Sequence, residues 1–340
     1  MTEYTSKQQY KNIEEFYQSF SKDRTNEQES VGFSLGTFCT KIWNKTPFRK
    51  SKTITRILWA TRSKIIHNYD NISRAKNYSD NISRNEEKYK KLYTLLSDEK
   101  SKRTMMCVLQ FRVDGNYDTL HSESDYTHNQ YFDKDIMKFS DTEVFADCGG
   151  FVGDTTSLFI SRVHDFSKIY IYEPNPINHQ KATQLLSRQE ADKIDKIIIR
   201  KAGVGIETIS SKISLSGSGS HVSDDGDCDI QIVSLDEDIQ EPITFIKMDV
   251  EGFELDALKG ARNHILAEKP KLAICVYHKP DDLWEIPEYI LSLNPEYKLY
   301  LRQYMIGDGE NPWETVLYAV LTTNNSSPFF SKIFQHLCKL

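Results

Sequence analysis

None of the six cysteines pairs with another at Cys-x-x-Cys spacing: Cys39, Cys107, Cys148, Cys228, Cys275 and Cys338 stand far apart in the 340 residues. Such spacing excludes a zinc ribbon and the dense disulfide framework of a small secreted domain, and it predicts reduced thiols in a cytoplasm. Long apolar runs are missing too. Nowhere do eighteen apolar residues follow one another, and the start, Met-Thr-Glu-Tyr-Thr-Ser-Lys, lacks the apolar core of a signal peptide. A soluble, cytoplasmic protein is therefore expected. The chain is acidic overall, with a formal net charge of -6, and carries no RNA-reading or DNA-reading module, so no nucleic-acid partner is expected.

What is present is most informative at residues 144–154, Val-Phe-Ala-Asp-Cys-Gly-Gly-Phe-Val-Gly-Asp, an apolar strand ending in an acid and a glycine turn that opens a helix. Asp147 stands at the carboxyl end of the strand. Gly149, Gly150 and Gly153 let the backbone turn tightly and approach a ligand, and Asp154, Thr155 and Thr156 begin the helix. About twenty residues on, the run 169–172 ends in Glu173-Pro174-Asn175-Pro176, where a carboxylate can accept both hydroxyls of a ribose. A nicotinamide-binding unit also has an acid there, but its turn reads Gly-x-Gly-x-x-Gly, whereas Gly-Gly-x-x-Gly stands here. Asp147 would also put negative charge near a dinucleotide's pyrophosphate; an anion attracts instead the sulfonium and amino groups of S-adenosylmethionine. NAD remains the rival cofactor on these two segments.

Residues 243–254, Ile-Thr-Phe-Ile-Lys-Met-Asp-Val-Glu-Gly-Phe-Glu, read as another buried strand leading into a helix over 255–267 that contains Leu258-Lys259-Gly260-Ala261. With the glycine turn and Glu-Pro-Asn-Pro before it, this stretch resembles the FkbM family of S-adenosylmethionine-dependent methyltransferases. The family's Ile-Lys-(Ile/Met)-Asp-(Val/Ile)-Glu-Gly-x-Glu signature stands as Ile246 to Glu254, and the Leu-Asp that precedes it as Leu235-Asp236. The resemblance covers residues 143–320, with the motifs in the family's order; Cys148-Gly149-Gly150 departs from the usual Gly-Ala turn. It implies S-adenosyl-L-methionine as cofactor, a class I methyltransferase fold and a sugar or glycan acceptor, in a polysaccharide, glycolipid or glycosylated metabolite. The cofactor contacts it implies are Asp147, Gly149, Gly150, Gly153, Asp154, Thr155, Thr156, Glu173, Pro174, Asn175 and Asp249, with Ser220 added by family analogy.

Read without the resemblance, residues 144–147, 168–173, 194–200, 243–249 and 271–277 are short apolar runs alternating with helical patterns such as 178–188 and 254–268. Such alternation predicts a parallel sheet covered on both faces. The runs 297–304 and 315–321 flank the turn-rich Gly307-Asp308-Gly309-Glu310-Asn311-Pro312 and predict a hairpin at the sheet's edge. The expected fold is α/β, a Rossmann-like, seven-stranded, mostly parallel sheet with a terminal antiparallel hairpin. Residues 206–238, with a Ser-Gly-Ser-Gly-Ser run ending at Ser220, read as a polar surface loop.

Chemistry in such a sheet sits outside the carboxyl ends of the strands. Side chains alternate along an extended run, so Lys247, Asp249 and Glu251 share one side, Lys247 as partner of a neighbouring carboxylate. Asp249 and Glu251 then emerge near the transferable methyl, and the next strand delivers His278 to the same rim as candidate base for an acceptor hydroxyl. Asp249, Glu251 and His278 are the expected catalytic set. The same three suit a divalent metal such as magnesium or manganese, although no spacing demands one.

Charge divides unevenly, with 24 Lys and Arg against 18 Asp and Glu over residues 1–140 and 19 against 31 over the rest. Residues 41–91 carry the basic excess, with Ile54, Ile57, Leu58, Ile65 and Ile66 among Arg56, Arg62 and Lys64. That amphipathic pattern reads first as a helix packed on its own domain, and second as a peripheral contact with the inner face of an anionic membrane or a lipid-linked glycan. Asp70-Asn71-Ile72-Ser73-Arg74 recurs at 80–84, and two copies do not make a solenoid. Tyr89, Leu92, Tyr93, Leu95 and Leu96, then residues 104–112 behind Asp98-Glu99, predict two helices. With Gln130-Tyr131-Phe132, this region resembles the one preceding the catalytic domain in some bacterial family members, an acceptor-side element or a homodimer interface. The expected organisation is a helical extension over 1–140, a methyltransferase domain over 141–325 and a tail over 326–340. N-methylation of an amino sugar or peptide is the near alternative. A non-catalytic scaffold in a glycan assembly complex is the other; the acids Asp147, Glu173, Asp249 and Glu251 count against it.

Overall fold

The computed structural model describes residues 12–26, 77–114, 117–127, 129–214, 221–222, 228–304 and 313–321. Expectations resting on residues 41–76, on Ser220 and its serine-rich run, on the 307–312 turn and on the 326–340 tail lie outside the described residues. The chain forms two compact units, one of residues 1–94 and 99–124, the other of 95–98 and 125–340. Residues 125–140, joined to the extension in the sequence reading, fold with the second unit.

The described residues of the first unit are mostly helical. Ile13–Asn26 buries Phe16, Tyr17 and Phe20, with the Phe16 and Phe20 rings stacked at 5.6 Å, and the Tyr17 hydroxyl donates to the Ile82 carbonyl at 3.2 Å. The two helices expected beyond Lys88 are found at Glu86–Leu95 and Glu99–Asp114, and the second buries Met105, Val108, Leu109 and Phe111.

Among the described residues the main sheet has eight strands: β1 (Ser124–Asp125), β2 (Val144–Cys148), β3 (Lys168–Tyr172), β4 (Ile197–Arg200), β9 (Phe245–Met248), β10 (Lys271–Cys275), β11 (Lys298–Tyr304) and β12 (Glu314–Val320). Their order is β1-β11-β12-β10-β9-β2-β3-β4. The run β10-β9-β2-β3-β4 is parallel and apolar almost throughout, as strands covered on both faces must be. β12 runs antiparallel to its neighbours β10 and β11, which is the terminal hairpin expected from the sequence. Beneath the centre, Phe145 of β2 and Phe245 of β9 are register partners stacked at 4.5 Å, and Phe132, Phe139 and Phe159 close around them.

Two expectations are corrected. Residues 206–238 are not simply a loop: β5 (Ala202–Val204), β6 (Ile209–Ser214), β7 (His221–Val222) and β8 (Cys228–Val233) form a second sheet in the order β5-β8-β6-β7. Ile230 and Ile232 point inward while Asp229 and Gln231 face solvent, a period-2 pattern hidden by the polar composition. The helix expected over 254–268 is two, Glu254–Lys259 and Arg262–Ala267. The Gly260 carbonyl leaves the helical ladder to accept from the Asp236 N–H at 2.8 Å and the Ser234 hydroxyl at 2.9 Å. The Asp236 carboxylate then accepts from the Asn263 and His264 N–H groups and opens the second helix.

Candidate active site

The strand order reverses between β2 and β9, so the crevice at their carboxyl ends is where an open α/β sheet binds its ligand. Gly149, at φ +80°, brings the two ends into contact: a Cβ on it would lie 1.8 Å from the Asp249 carbonyl oxygen. A Cβ on Gly150 would lie 2.2 Å from Ile171 Cγ2, and the N–H groups of Gly149 and Gly150 both donate to the Tyr172 carbonyl. Gly153, at φ +85°, then begins the helix Asp154–Arg162, whose first turn holds exposed Asp154 and half-buried Thr155.

Asp147 and Lys247 are register partners on β2 and β9, fully or almost fully buried, with Lys247 Nζ 3.1 Å from Asp147 Oδ1. Lys247 also donates to the Gly149 carbonyl at 2.6 Å, and the Thr156 hydroxyl donates to Asp147 at 2.7 Å. Burial works against a charged lysine, but Asp147 and Asp249 outweigh it and hold the ammonium well above its usual range. The sequence argument gave Asp147 an uncompensated negative charge facing the ligand. Lys247 offsets that charge, so the acids of the rim carry the electrostatic preference for a cationic ligand as well.

Glu173 follows β3. Its two oxygens accept from the N–H groups of Phe151 and Asn175, each at 2.8 Å, and burial pushes its carboxyl up to about 7. The Asn178 side chain is a third donor to this carboxylate, which leaves acceptor capacity for one more. Phe151, half turned to solvent at φ +46°, is held left-handed by the contact to Glu173. Asn175 caps the helix Pro176–Leu186 through its side chain, accepting from Ile177 and Asn178, and Pro174 is half-buried between them.

Asp249, Glu251 and His278 do come together, as the sequence reading expected. His278 Nε2 lies 3.5 Å from Asp249 Oδ1 and 3.6 Å from Glu251 Oε2. Glu251 and Gly252 are both left-handed, at φ +54° and +93°, a sharp turn that is strained for a glutamate and bends its side chain back over the rim. Glu254, which closes the motif, was not singled out from sequence. It is fully buried, accepts from the Val250 N–H at 2.8 Å, and brings Oε1 to 2.8 Å from His278 Nδ1. Burial alone would keep His278 neutral; Glu254, then Asp249 and Glu251, override it and raise the imidazole to about 9. At neutral pH His278 is therefore a cation, and the expected general base holds a proton of its own.

Sequence reasoning also missed the floor of this site. The Tyr131 hydroxyl donates to Asp249 Oδ2 at 2.9 Å and the Tyr277 hydroxyl to Oδ1 at 3.3 Å, so both oxygens of Asp249 are oriented by phenols. Glu314, on β12, accepts from Gln130 at 2.8 Å and is pushed up to about 7 by burial and by Asp249. Tyr131 had a trace in the Gln-Tyr-Phe of the resemblance; Glu314 had none.

Residues 147–305 match the family model of the methyltransferase FkbM domain. A solved structure of a methyltransferase FkbM from Methylobacillus flagellatus KT is 32% identical with a TM-score of 0.63, over 72% of this chain and 60% of that one. The chain thus spans less than two thirds of that relative's length. More distant are an rRNA methylase from Streptococcus thermophilus (19% identity, TM-score 0.34, 54% of this chain and 89% of that one) and the N-terminal domain of human METTL16 in complex with SAH (12%, 0.31, 54% and 62%). No curated protein matches the chain. Among the described residues no helix is long and apolar enough to cross a membrane, and Cys107, Cys148, Cys228 and Cys275 are free thiols.

Proposed function

The chain belongs to the FkbM methyltransferases through residues 147–305, and from that premise we propose an S-adenosylmethionine-dependent O-methyltransferase acting on a sugar hydroxyl of a polysaccharide, glycolipid or glycosylated metabolite. One observation carries the reading: carboxylates and an imidazole converge at the carboxyl end of β9, beside the glycine turn of β2 and across from Glu173. The residues fit the cofactor. Glu173 keeps acceptor capacity for a ribose, the turn at Gly149 and Gly150 brings bare backbone to the crevice, and Asp249 and Glu251 favour positive charge beside it. When bound, S-adenosylmethionine supplies an electrophilic methyl on a cationic sulfur. The protein's share is chiefly placement, worth on the order of 7 to 11 kcal/mol where a reactant is held in line. Asp249, fixed by Tyr131 and Tyr277, and Glu251 orient the acceptor hydroxyl, and the proton it loses passes to this carboxylate rim. His278 holds the rim together as a cation.

The same acidic rim favours an amine acceptor, which makes N-methylation of an amino sugar or peptide the second reading. Calorimetric titration with S-adenosylmethionine, S-adenosylhomocysteine and NAD is the first test: saturable binding of both adenosyl ligands and none of NAD is expected, and failure of both to bind would end the methyltransferase reading. Transfer of labelled methyl to a panel of neutral and amino sugars, with the product linkage determined, separates oxygen from nitrogen. His278→Ala should lower turnover and leave cofactor affinity nearly unchanged.

A further inference from the structure

Among the described residues the one group of at least three His, Cys, Asp or Glu side chains close enough to share an ion is Asp249, Glu254 and His278, with one donor atom from each within 4.8 Å of the others. Proximity alone would be a poor argument, since acids gather on many surfaces without a cation. Glu254 adds something independent. It is fully buried, yet its Oε2 has no hydrogen-bond partner, and leaving a carboxylate oxygen desolvated and unmatched costs about 1 to 3 kcal/mol or more. His278 Nδ1 lies 2.8 Å from Glu254 Oε1, so the imidazole and the buried carboxylate already stand at the separation of two ligands on one ion. An unmatched carboxylate oxygen on buried Glu254, the half-buried imidazole beside it, a third ligand on Asp249 and Glu251 at the open edge describe a coordination shell better than a set of ion pairs.

We propose that Asp249, Glu254 and His278 bind one divalent first-row transition ion, His278 releasing to solvent the proton it carries in the ion-free protein, with Glu251 closing the outer side and a position left for the acceptor's oxygen. The donor set decides the class: two carboxylates and an imidazole suit manganese, iron, cobalt or zinc better than calcium or magnesium, which prefer oxygen alone. The sequence reading offered Asp249, Glu251 and His278 as ligands; the structure brings Glu254 inside and moves Glu251 to the rim. An ion there acts as a Lewis acid on the acceptor hydroxyl, so its role rests on the methyltransferase reading, while its binding does not.

The test uses the full chain, stripped with chelator and titrated with Mn2+ while the free-ion paramagnetic resonance signal is followed. One ion per chain is expected in the wild type, and Asp249→Asn and His278→Gln should each weaken it about 10-fold or more, as loss of even an indirect ligand contact does. Glu254→Gln should do the same; if that variant is unfolded by circular dichroism, the other two decide. Saturation in all variants at the wild-type affinity, or no stoichiometric binding in the wild type by Mn2+, Co2+ or Zn2+, overturns the proposal. Calorimetry of S-adenosylhomocysteine on the same stripped protein separates the two claims: adenosyl binding without ion binding sinks the metal alone, and ion binding without adenosyl binding sinks the methyltransferase reading alone.

Discussion

Asp147 and Lys247 pair across β2 and β9 beside the glycine turn. Their ion pair is buried, and each is further satisfied, by Thr156 and by the Gly149 carbonyl. Removing one partner strands the other: Lys247→Met should cost about 3 to 5 kcal/mol in urea denaturation, and Asp147→Leu in the same background should recover much of it. Glu173 makes a pH-dependent prediction. Its folded carboxyl titrates near 7 rather than 4.5 because it is buried, so the native state holds the proton more tightly than the unfolded chain. Stability from this group is therefore greatest below pH about 4.5 and falls by on the order of 3 kcal/mol as pH rises to about 7. Cofactor affinity should move the other way, rising through pH about 7 as the ionised carboxylate becomes the better acceptor for ribose, and Glu173→Gln should flatten the profile in calorimetry. Asp249 and His278 were legible because each follows the carboxyl end of a buried strand; the alternation assumed for Glu251 fails, since the strand ends at Met248 and a left-handed turn, not extended backbone, carries Glu251 to the same rim. The protonation of His278 was not, because it depends on Glu254, and that contact forms only when a left-handed turn at Glu251 and Gly252 folds the chain back.

At the level of elements, the Leu235-Asp236 pair shows why a short motif travels with a distant one. Asp236 caps the helix Arg262–Ala267 through the N–H groups of Asn263 and His264, and its own N–H takes the Gly260 carbonyl. Asp236→Ala should destabilise by about 0.5 to 2 kcal/mol, the usual cost of a lost cap. Gly260→Ala should cost more, since its Cβ would lie 1.9 Å from the Gly205 carbonyl oxygen; a fall in the denaturation midpoint at unchanged slope would check both. The parallel strands were readable because buried strands are unbroken apolar runs. The break at Gly260 was not, because helical periodicity runs on through it and the groups that divert its carbonyl, Ser234 and Asp236, lie a strand away. The sheet β5-β8-β6-β7 escaped notice because its alternation is short and most of its residues are polar.

For the whole molecule, ligand binding and stability are linked. An adenosyl ligand at 100 times its dissociation constant should stabilise the chain by about 2.7 kcal/mol, a rise of roughly 4 to 6 °C in melting temperature, where NAD should give none. One consequence of the topology concerns synthesis. β12, the last strand of the main sheet in chain order, lies inside it, between β10 and β11. While a ribosome has not yet delivered residues 314–320, the outer edge of β10 stays unpaired and β11, already made, has nothing on that side to join. Leu272, Ile274 and their neighbours then present an open apolar ladder to any passing strand. A nascent chain of this protein should therefore be most exposed to aggregation in the interval after β11 is made and before residues 314–320 arrive, when the strand that seals the sheet is missing.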